Sequence, residues 1–455
     1  MKLERIEIAK IINGGYGLGQ LLSGRLVMVR HVLPGEIVTA TTEKTKKNYI
    51  SGEARQIIAA HPSRRIPPCP YVGECGGCDL QHAPYELQPA IKKSIIADLL
   101  ERSPHRAVKE AVHLLADPIA APAEFGYRQR IRLQVDSRGF LGFHRFQSHS
   151  VVPIDACLLA RKEENFVLAA LKAHPDGRKL AAIALHVELQ ENPVTAKTVV
   201  IFHLSRRPRP AEIAGAERFC RDCEGVERVF LSGDEFAMMG PFGARTSGAH
   251  NNLAVHYPAA PGDGNSALPG NLTLTWEAGG FCQVNLAQNR KLIATVLEFC
   301  ETRATDRVLD LFCGMGNFSI PLAMSAGEVL GFEGQGSAIR SAVKNAALAG
   351  LGNIRFRKSP IHAACAELVS AGEQFDCTVI DPPRQGAPEL AAQLAALTRR
   401  RLVYISCDPA TLCRDLACLC NKGFTIGRIQ PVDMFPQTHH IETVVLLDRI
   451  EAIHP

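Results

Sequence analysis

Long apolar runs are missing from this sequence. No stretch reaches the roughly 18 consecutive apolar residues that a transmembrane helix needs, and the first ten residues, MKLERIEIAK, lack the apolar core of a secretory signal. These absences argue against an integral membrane or secreted protein, and we expect a cytoplasmic protein with no membrane partner. Charged residues make up only 21% of the chain and hydrophobic residues 46%, as in an ordinary globular protein. A length of 455 residues predicts two or three domains.

A strong net charge is also missing, since the formal charge at pH 7 is only +5. That small excess is unevenly placed, because residues 1–68 contain 11 Lys and Arg but only 5 Asp and Glu. A basic segment on a near-neutral body favours a polyanion such as RNA as a partner. A solvated basic face explains the charge equally well, so charge alone does not decide between them.

The 15 cysteines indicate metal, cluster or catalytic chemistry, because disulfides are rare in a reducing cytoplasm. Cys69, Cys75 and Cys78 follow a C-x5-C-x2-C spacing, and the glycines between them let the backbone curl so that the thiolates converge. Cys157 is the best candidate for a fourth ligand. Four thiolates suit either zinc or an iron–sulfur cluster. A further C-x-x-C at 219–223 has no second pair to face, and we interpret its cysteines as ordinary core residues.

Residues 1–61 are predicted to form a small β-barrel. Four β-rich runs begin at residues 3, 25, 36 and 48, and glycine-containing turns separate them. Short strands with glycine turns suit an OB-like barrel, which is a frequent oligonucleotide binder. The order of the elements resembles the TRAM domain of RNA-modifying enzymes and implies RNA binding, although small barrels also serve as mere interaction modules.

Residues 62–276 are predicted to form an α+β middle domain that holds the four cysteines. A helix is expected over 85–101 and antiparallel strands over 125–157, and the tract 259–271 reads as an exposed loop. Basic and aromatic side chains interleave on those strands, which suits phosphate contacts and base stacking as well as a solvated strand face. These side chains are Tyr127, Arg128, Arg130, Arg132, Phe143, His144, Arg145 and Phe146.

Residues 277–455 alternate apolar strands with helices, and this favours a doubly wound parallel sheet. The helices are predicted around 285–303, 335–350, 388–399 and 410–421. The last two strands are joined only by PQTHH, so they would close the sheet as an antiparallel hairpin. A mostly parallel, Rossmann-like sheet that ends in this way is the usual layout of S-adenosylmethionine-dependent methyltransferases.

The segment DLFCGMGNFS, residues 310–319, reads as a strand, a glycine turn and a helix. Gly314 and Gly316 let the backbone approach a ligand at the helix N-terminus. A dinucleotide fingerprint would have a third glycine where this chain has Ser319, so the motif fits a nucleoside without a pyrophosphate. Glu333 ends the next strand, where it is placed to accept hydrogen bonds from ribose hydroxyls.

Cys407 lies where a buried strand gives way to a helix, in the sequence YISCDPATL. Asp408 and Pro409 are typical of a helix start. We expect the N-terminus of this helix to favour the thiolate of Cys407, which is the nucleophilic form. One more small buried cysteine is the alternative interpretation.

Asp381 opens the loop DPPR, and similar loops hold the target amine in amino-group methyltransferases. Amine methylation needs no cysteine, whereas carbon methylation of a pyrimidine does, because C5 becomes nucleophilic only after a thiolate adds at C6. A base must then remove the C5 proton. Glu442 starts an apolar strand, where burial would raise its pKa towards the range of a general base. A salt-bridged carboxylate at a strand end is the alternative for Glu442.

Five motifs occur in order along the chain: GGFCQVN, DLFCGMGNFS, DPPR, YISCDPATLCRDL and DMFPQTHHIETV. With them, the chain resembles the RNA 5-methyluridine methyltransferase family over essentially its full length. The resemblance implies that Cys407 is the nucleophile and Glu442 the base. The residues it implies for binding S-adenosylmethionine are Gln283, Phe312, Asn317, Glu333 and Asp381.

The same resemblance implies a [4Fe–4S] cluster rather than zinc, held by Cys69, Cys75, Cys78 and Cys157. A barrel together with a cluster is similar to the members that act on 23S ribosomal RNA. Methylation of tRNA and a non-catalytic RNA-binding or assembly role are the alternatives. Pro360 stands where the family often has asparagine, so we assign it no cofactor role. We expect a monomer.

Overall fold

The computed structural model describes residues 4–21, 23–45, 49–243, 252–258 and 271–450. The chain forms two compact units. The first unit comprises Met1–Gly73, Cys78–Pro122 and Cys365–Pro455, and the second comprises Glu74–Gly77 and Ala123–Ala364. Of the predicted loop 259–271, only Asn271 lies within the described residues. Among those residues, no helix has the length and apolar character that crossing a membrane requires.

The first unit begins with a closed barrel of five strands, β1 (Glu4–Ile12), β2 (Tyr16–Gln20), β3 (Leu26–Arg30), β4 (Ile37–Thr45) and β5 (Tyr49–Ala59). They follow the order β1-β2-β3-β5-β4, and β3 and β5 run parallel. Branched apolar side chains fill the interior, among them Ile6, Val29 and Val38. The predicted small barrel is therefore confirmed.

Strand β2 was not among the four predicted β-rich runs, because its glycines resemble a turn. A Cβ on Gly17 would lie 2.3 Å from the Val32 side chain, and one on Gly19 would lie 2.6 Å from the carbonyl oxygen of Glu7. Glycine is required here because neighbouring strands approach β2 too closely for a side chain.

Two helices follow the barrel in the first unit, α1 (Gln88–Glu101) and α2 (Arg106–Glu110). A short 3-10 turn at Tyr85–Leu87 precedes α1, so the helix expected over 85–101 is confirmed. The Lys92 ammonium of α1 lies 2.5 Å from the carboxylate of Asp433, and both side chains are fully buried. This ion pair ties α1 to the C-terminal segment of the same unit.

The second unit contains a seven-stranded sheet with the order β12-β11-β10-β9-β6-β7-β8. Its strands are β6 (Arg130–Val135), β7 (Leu141–His144), β8 (Val151–Pro153), β9 (Ala184–Asn192), β10 (Lys197–Leu204), β11 (Val226–Gly233) and β12 (Phe236–Phe242). Helices α3 (Lys162–Ala173), α4 (Pro175–Ala181) and α5 (Pro210–Asp222) pack on it. Strands β6, β7 and β8 pair antiparallel, as predicted for residues 125–157.

The remainder of the second unit carries the glycine turn. A two-stranded ribbon, β13 (Asn252–Tyr257) and β14 (Leu272–Glu277), precedes α6 (Leu286–Cys300). The elements that follow are β15 (Arg307–Leu311), α7 (Ser319–Ala323), β16 (Glu328–Glu333), α8 (Gly336–Leu348) and β17 (Ile354–Lys358). Strands β15, β16 and β17 pair in parallel, so the glycine turn lies at the carboxyl end of β15.

Helix α9 (Ile361–Ser370) leads into the C-terminal part of the chain. The elements after it are β18 (Phe375–Ile380), α10 (Ala391–Leu397), β19 (Thr398–Ser406), α11 (Pro409–Cys420), β20 (Phe424–Val432) and β21 (Glu442–Arg449). Strands β18 and β19 are parallel, while β21 pairs antiparallel with both β19 and β20. The carboxyl ends of β18 and β19 and the start of β21 therefore meet at one sheet edge.

Candidate active site

Cys407 occupies the junction between β19 and α11, where its side chain is partly buried. Asp408 caps the helix, since its carboxylate accepts hydrogen bonds from the backbone N–H groups of Ala410 at 3.0 Å and Thr411 at 2.9 Å. The predicted helix start is therefore confirmed, and it fixes the backbone on both sides of the thiol.

Glu442 lies beside Cys407. Ser406, the last residue of β19, pairs with Thr443 of β21, and one step further along this antiparallel register Cys407 falls opposite Glu442. The Glu442 side chain is only 6% exposed. The structure thus brings the predicted nucleophile and the predicted base to the same sheet edge.

Asp381 and Arg384 complete this edge. Asp381 follows β18, whose last residue pairs in parallel with Tyr404 of β19. The charge of Asp381 raises, and that of Arg384 lowers, the pKa of both Cys407 and Glu442. Arg384 belongs to the DPPR motif, but its sequence pattern gave it no role; its influence depends on the tertiary arrangement.

The pKa values of Glu442 and Asp381, the two carboxyl groups of the edge, both lie near neutral pH. Burial and the negative charge of Asp381 together raise the pKa of Glu442 to about 8, although Arg384 opposes this rise. Burial raises the pKa of Asp381 to about 7. The expectation that burial would bring Glu442 into the range of a general base is confirmed.

The expectation for Cys407 is wrong. Burial and the negative charges of Glu442 and Asp381 together raise the pKa of the thiol to about 12, although Arg384 lowers it. The helix N-terminus does not outweigh desolvation together with the carboxylates beside the sulfur. In the free protein Cys407 is therefore a thiol at neutral pH, and positive charge in the site is what favours its thiolate.

The glycine turn of the second unit is tied to the end of β16. The Glu333 carboxylate accepts the N–H of Gly314 at 3.3 Å and that of Gln335 at 2.8 Å. Phe312, which follows β15, has a φ of 61°, a conformation that costs a non-glycine residue energy and is concentrated at functional sites. Among the predicted cofactor residues, Phe312 thus lies in the glycine turn, and Glu333 at the end of β16 accepts a hydrogen bond from that turn.

Asn317 is held by a partner that the sequence did not indicate. Its side-chain amide and that of the buried Asn289 exchange two hydrogen bonds, of 2.9 and 3.0 Å. Asn289 also donates to the hydroxyl of Tyr257 at 2.9 Å. Asn289 is a polar residue on the buried face of α6, and this is the only local signal that could have revealed it.

The segment that carries Gln283 is fixed by strand β6 and the residue before it. The side-chain amide of Gln129 donates to the carbonyl of Gln283 at 2.8 Å, and Arg130 donates to that of Gly280 at 2.9 Å. Arg130 also bonds Glu188 at 2.6 Å, and Tyr127 is buried. The RNA-contact interpretation is therefore wrong for Arg130 and Tyr127. Arg130 bonds Gly280 and Glu188, and Tyr127 is buried in the second unit.

Glu188 also groups with two histidines, His186 and His203, whose donor atoms lie within 4.8 Å of one another. Burial alone would raise the pKa of Glu188, but His203, Arg130 and Arg132 lower it to about 2. Arg132 lies 2.7 Å from the same carboxylate. Two guanidinium charges already neutralise this carboxylate, which disfavours a cation here.

The four predicted cluster cysteines are divided between the units, Cys69 and Cys78 in the first and Cys75 and Cys157 in the second. All four are partly exposed, and none is in a disulfide. The backbone of Cys157 is fixed by Asn165, which accepts its N–H at 2.8 Å and donates to its carbonyl at 2.9 Å. Partly exposed thiols held on structured backbone suit metal ligation better than core packing.

The CGGC loop needs its glycine for close packing. The N–H of Gly76 donates to the carbonyl of His144 at 2.9 Å, and a Cβ on Gly76 would lie 3.1 Å from that oxygen. The other C-x-x-C differs, because Cys220 is buried, and a Cβ on Gly243 would lie 2.3 Å from its sulfur. The interpretation as a core residue is therefore confirmed for Cys220, whereas Cys223 is partly exposed.

Comparison with known proteins shows what the chain is similar to. The structure of Pyrococcus abyssi tRNA (uracil-54, C5)-methyltransferase in complex with S-adenosyl-L-homocysteine shares the fold, with a TM-score of 0.69 and 23% identity over 97% of this chain and 99% of that one. The 23S rRNA (uracil(1939)-C(5))-methyltransferases RlmD of Pseudomonas putida and Pseudomonas syringae pv. tomato are 34% and 32% identical, each over 98% of this chain and 94% of the relative.

A sequence profile described as tRNA (Uracil-5-)-methyltransferase matches residues 271–450, which include the glycine turn, the DPPR loop, Cys407 and Glu442. The family model and these relatives define an S-adenosylmethionine-dependent methyltransferase. More narrowly, the chain belongs to the RNA uracil-5-methyltransferase family.

Proposed function

We propose that the protein methylates C5 of a specific uridine in 23S ribosomal RNA, with Cys407 as nucleophile and Glu442 as base. The observation that carries this proposal is the placement of Cys407 beside the buried Glu442 at one sheet edge. Carbon methylation of a pyrimidine needs both a thiolate and a base, and these are the two groups that the edge supplies.

The reaction follows from these two groups. The thiolate of Cys407 adds to C6 of uracil, and the electron pair moves to the C4 oxygen as an enolate. C5 then attacks the methyl group of S-adenosylmethionine, and S-adenosylhomocysteine leaves. Glu442 takes the C5 proton, the C5–C6 double bond re-forms, and the Cys407 thiolate departs. The pKa of Glu442, raised to about 8, suits a group that must accept this proton.

The proposed substrate rests on the relatives. The proteins that match this chain over 98% of its length are named for uracil 1939 of 23S rRNA, while the structural neighbour named for tRNA is 23% identical. Methylation of tRNA is thus the second candidate. A non-catalytic RNA-binding or assembly factor would have no use for a thiol and a buried carboxyl placed side by side.

Residues 1–61, 62–276 and 277–455 are proposed as an RNA-binding TRAM-like domain, a cluster-binding middle domain and a Rossmann-like methyltransferase domain. The closed five-stranded barrel supports the first assignment. Oligonucleotide binding is a common use of such barrels. We expect RNA to be the partner of the barrel and the protein to act as a monomer.

The residues proposed to bind S-adenosylmethionine are Gln283, Phe312, Asn317, Glu333 and Asp381. The positive φ of Phe312 and the tie between Glu333 and the glycine turn support the assignment. A preorganised glycine turn favours nucleoside binding, because the backbone must approach the ligand closely.

Cys69, Cys75, Cys78 and Cys157 are proposed to hold a [4Fe–4S] cluster. Four cysteine thiolates are the donor set that such a cluster uses. All four cysteines here are partly exposed, and the backbone of Cys157 is fixed by Asn165. Uridine methylation is redox-neutral, so we assign the cluster a structural part in ordering the middle domain and its RNA surface.

The direct experiment supplies labelled S-adenosylmethionine with unmodified 23S rRNA or unmodified tRNA and maps the labelled nucleoside by mass spectrometry. We expect 5-methyluridine in 23S rRNA with wild type and with Cys418→Ala, and none with Cys407→Ala. Label in tRNA alone would keep the chemistry and overturn the substrate. No label in either RNA, from protein with a full complement of iron, would overturn the function.

A further inference from the structure

Asp415 is a charged side chain on α11 that is only 1% exposed. A buried carboxylate is costly unless hydrogen bonds and opposite charge compensate it. Arg414, the preceding residue, supplies the charge, since its guanidinium lies 2.7 Å from one carboxylate oxygen. The second oxygen accepts hydrogen bonds from the hydroxyl of Tyr404 at 2.5 Å and the backbone N–H of Ala387 at 2.8 Å.

Ala387 belongs to the loop that continues from the DPPR motif, and this loop is shaped to reach Asp415. Gly386 has a φ of +71°, and a Cβ at that position would lie 2.1 Å from the carboxylate oxygen. The backbone can therefore approach Asp415 only because residue 386 has no side chain.

Helix α11 holds the same loop at two further atoms. The guanidinium of Arg414 donates to the carbonyl of Gln385 at 2.5 Å, and the hydroxyl of Thr411 donates to the carbonyl of Arg384 at 3.0 Å. One helix thus holds three successive parts of the loop, and this helix begins two residues after Cys407. The backbone of Arg384 and the backbone of the nucleophile are fixed to the same element.

The charge of Arg384 acts on three titratable groups of the first unit. It lowers the pKa of Cys407, of Glu442 and of His440, and Asp381 opposes it at the first two. A shift of Arg384 away from the edge would leave Glu442 with the negative charge of Asp381, and Cys407 with the negative charges of Glu442 and Asp381.

We propose that Asp415 is a positioning residue for methyl transfer: it holds the 384–387 loop against α11 so that the charge of Arg384 continues to act on Cys407 and Glu442. This inference rests on the proposed function. Asp415 touches no reacting atom, and its effect on the reaction passes through Arg384.

A purely structural Asp415 would stabilise the loop without affecting protonation in the site, and the pH dependence separates the two roles. The experiment measures the single-turnover rate constant for methylation of an unmodified 23S rRNA fragment across pH, with dissociation constants for RNA and S-adenosylmethionine. The variants are Asp415→Asn, Arg384→Gln and the double variant. Asparagine keeps an acceptor for Ala387 but turns an amide towards Arg414, which loosens the hold on Gln385.

Because a displaced Arg384 no longer lowers the pKa of Cys407 and Glu442, the rate profile should move to higher pH. We expect Asp415→Asn to lower the rate constant roughly tenfold at pH 7, as a shift of one pKa unit would, and to approach the wild-type value in alkali. Both dissociation constants should stay within about twofold of wild type. In the Arg384→Gln background the same substitution should add less than about a twofold effect, because both changes act through one group.

Gly386→Ala gives a second, independent variant, since its methyl group pushes the loop away from Asp415 without altering the carboxylate. It should shift the profile in the same direction, and it replaces Asp415→Asn if that variant does not fold. Thr398→Val is the matched control, because it removes a buried hydroxyl pair with Thr378, of 2.8 Å, from strands β18 and β19. It should leave the profile in place.

An unchanged rate, or an equal loss at every pH with an unshifted profile, would overturn the proposal. Additive losses in the double variant would overturn it as well, since Asp415 would then act independently of Arg384. A wild-type protein that methylates no RNA would instead contradict the proposed function, and the wild-type measurement decides that before any variant is compared.

Discussion

Cys407 and Glu442 lie at an edge where burial works against charge on both side chains. Burial and the carboxylate of Asp381 raise the pKa of Glu442 to about 8, and the same causes, with Glu442 itself, raise that of Cys407 to about 12. A carboxyl poised near neutrality accepts a proton readily, whereas a thiol with so high a pKa needs added positive charge to ionise. Arg384 is the protein's own contribution of that charge.

The pH dependence of methyl transfer follows from these values. Glu442 acts as a base only when it is deprotonated, so its contribution is lost as pH falls through its pKa of about 8. Cys407 attacks only as a thiolate, and the thiolate fraction falls with each pH unit below the pKa of about 12. We expect the single-turnover rate constant to decline by at least about tenfold per pH unit below neutrality. A rate constant that stays flat between about pH 6 and pH 8 would contradict the assignment of Glu442.

Replacing the base should separate addition from release. Glu442→Gln keeps the size of the side chain but cannot take the C5 proton, so the methylated Cys407–uracil adduct should persist. Denaturing electrophoresis with labelled RNA would detect this covalent species within one turnover. Glu328→Gln, which alters a half-exposed carboxylate paired with Arg307, is the control and should turn over normally. Rapid release by the Glu442 variant would show that another group removes the proton.

Local patterns were sufficient to place Cys407, Asp408 and Glu442 at a strand end, a helix start and a strand start, but only the family resemblance chose between the alternative roles of Cys407 and Glu442. The pKa of Cys407 could not be predicted in the same way, since it depends on Glu442 and Asp381, which reach the site from distant positions in the chain. Arg384 and Asn289 are in the same class. Neither received a role from the sequence pattern around it, and only the tertiary arrangement reveals what they do.

At the scale of elements, α1 and the segment before β21 are joined by a fully buried ion pair. Lys92 lies 2.5 Å from Asp433, and it also donates to the carbonyl of Phe435 at 3.0 Å. Burial of Lys92 lowers its pKa, and Asp433 opposes this effect. Such a pair is far more costly to break than a surface pair, because the remaining charge stays buried without compensation.

Lys92→Met should therefore reduce the free energy of unfolding by about 3–5 kcal/mol, the usual cost of leaving a buried charge unpaired. Lys93→Met is a matched control on the same helix, because Lys93 pairs with Asp117, which is 91% exposed. That substitution should change the free energy by less than about 1 kcal/mol. Urea denaturation of both variants measures the difference. Equal effects would mean that the Lys92–Asp433 pair contributes little.

Most element boundaries follow from periodicity, and the exception is informative. Helices α6, α8 and α11 and strands β15, β16 and β19 lie where alternating apolar segments predicted them. Strand β2 was not predicted, because glycines such as Gly17 and Gly19 locally indicate a turn. Only the folded barrel shows that they allow a close contact between strands. A glycine has no side chain whose pattern could distinguish these two cases.

At the scale of the whole molecule, the two compact units do not coincide with the three domains predicted from the sequence. Residues 365–455 belong to the same compact unit as the barrel, while 123–364 form the other unit with Glu74–Gly77. Composition and periodicity are local, so they cannot reveal that distant segments fold together. The three domains predicted from the sequence remain a proposal about function rather than a description of these units.

Loss of one cluster ligand tests the metal assignment at this scale. Anaerobically purified wild type should contain about four iron atoms and four sulfides per chain, as a [4Fe–4S] cluster requires. Cys78→Ala should lose most of this iron, unfold at a lower temperature and bind RNA more weakly. Cys223→Ala, in the other C-x-x-C, should keep the full iron content. A Cys78→Ala variant that folds normally with full RNA affinity would contradict the structural part assigned to the cluster.

The central claim is that Cys407 forms a covalent bond to C6 of the target uracil. The most direct measurement offers the enzyme S-adenosylmethionine and a 23S rRNA fragment that contains 5-fluorouridine, whose fluorine cannot be removed by a base, so the adduct cannot break down. We predict a stable protein–RNA complex whose crosslinked peptide contains Cys407, formed by wild type and Cys418→Ala but not by Cys407→Ala. A complex through another residue, or methylation of ordinary RNA by Cys407→Ala, would contradict the account.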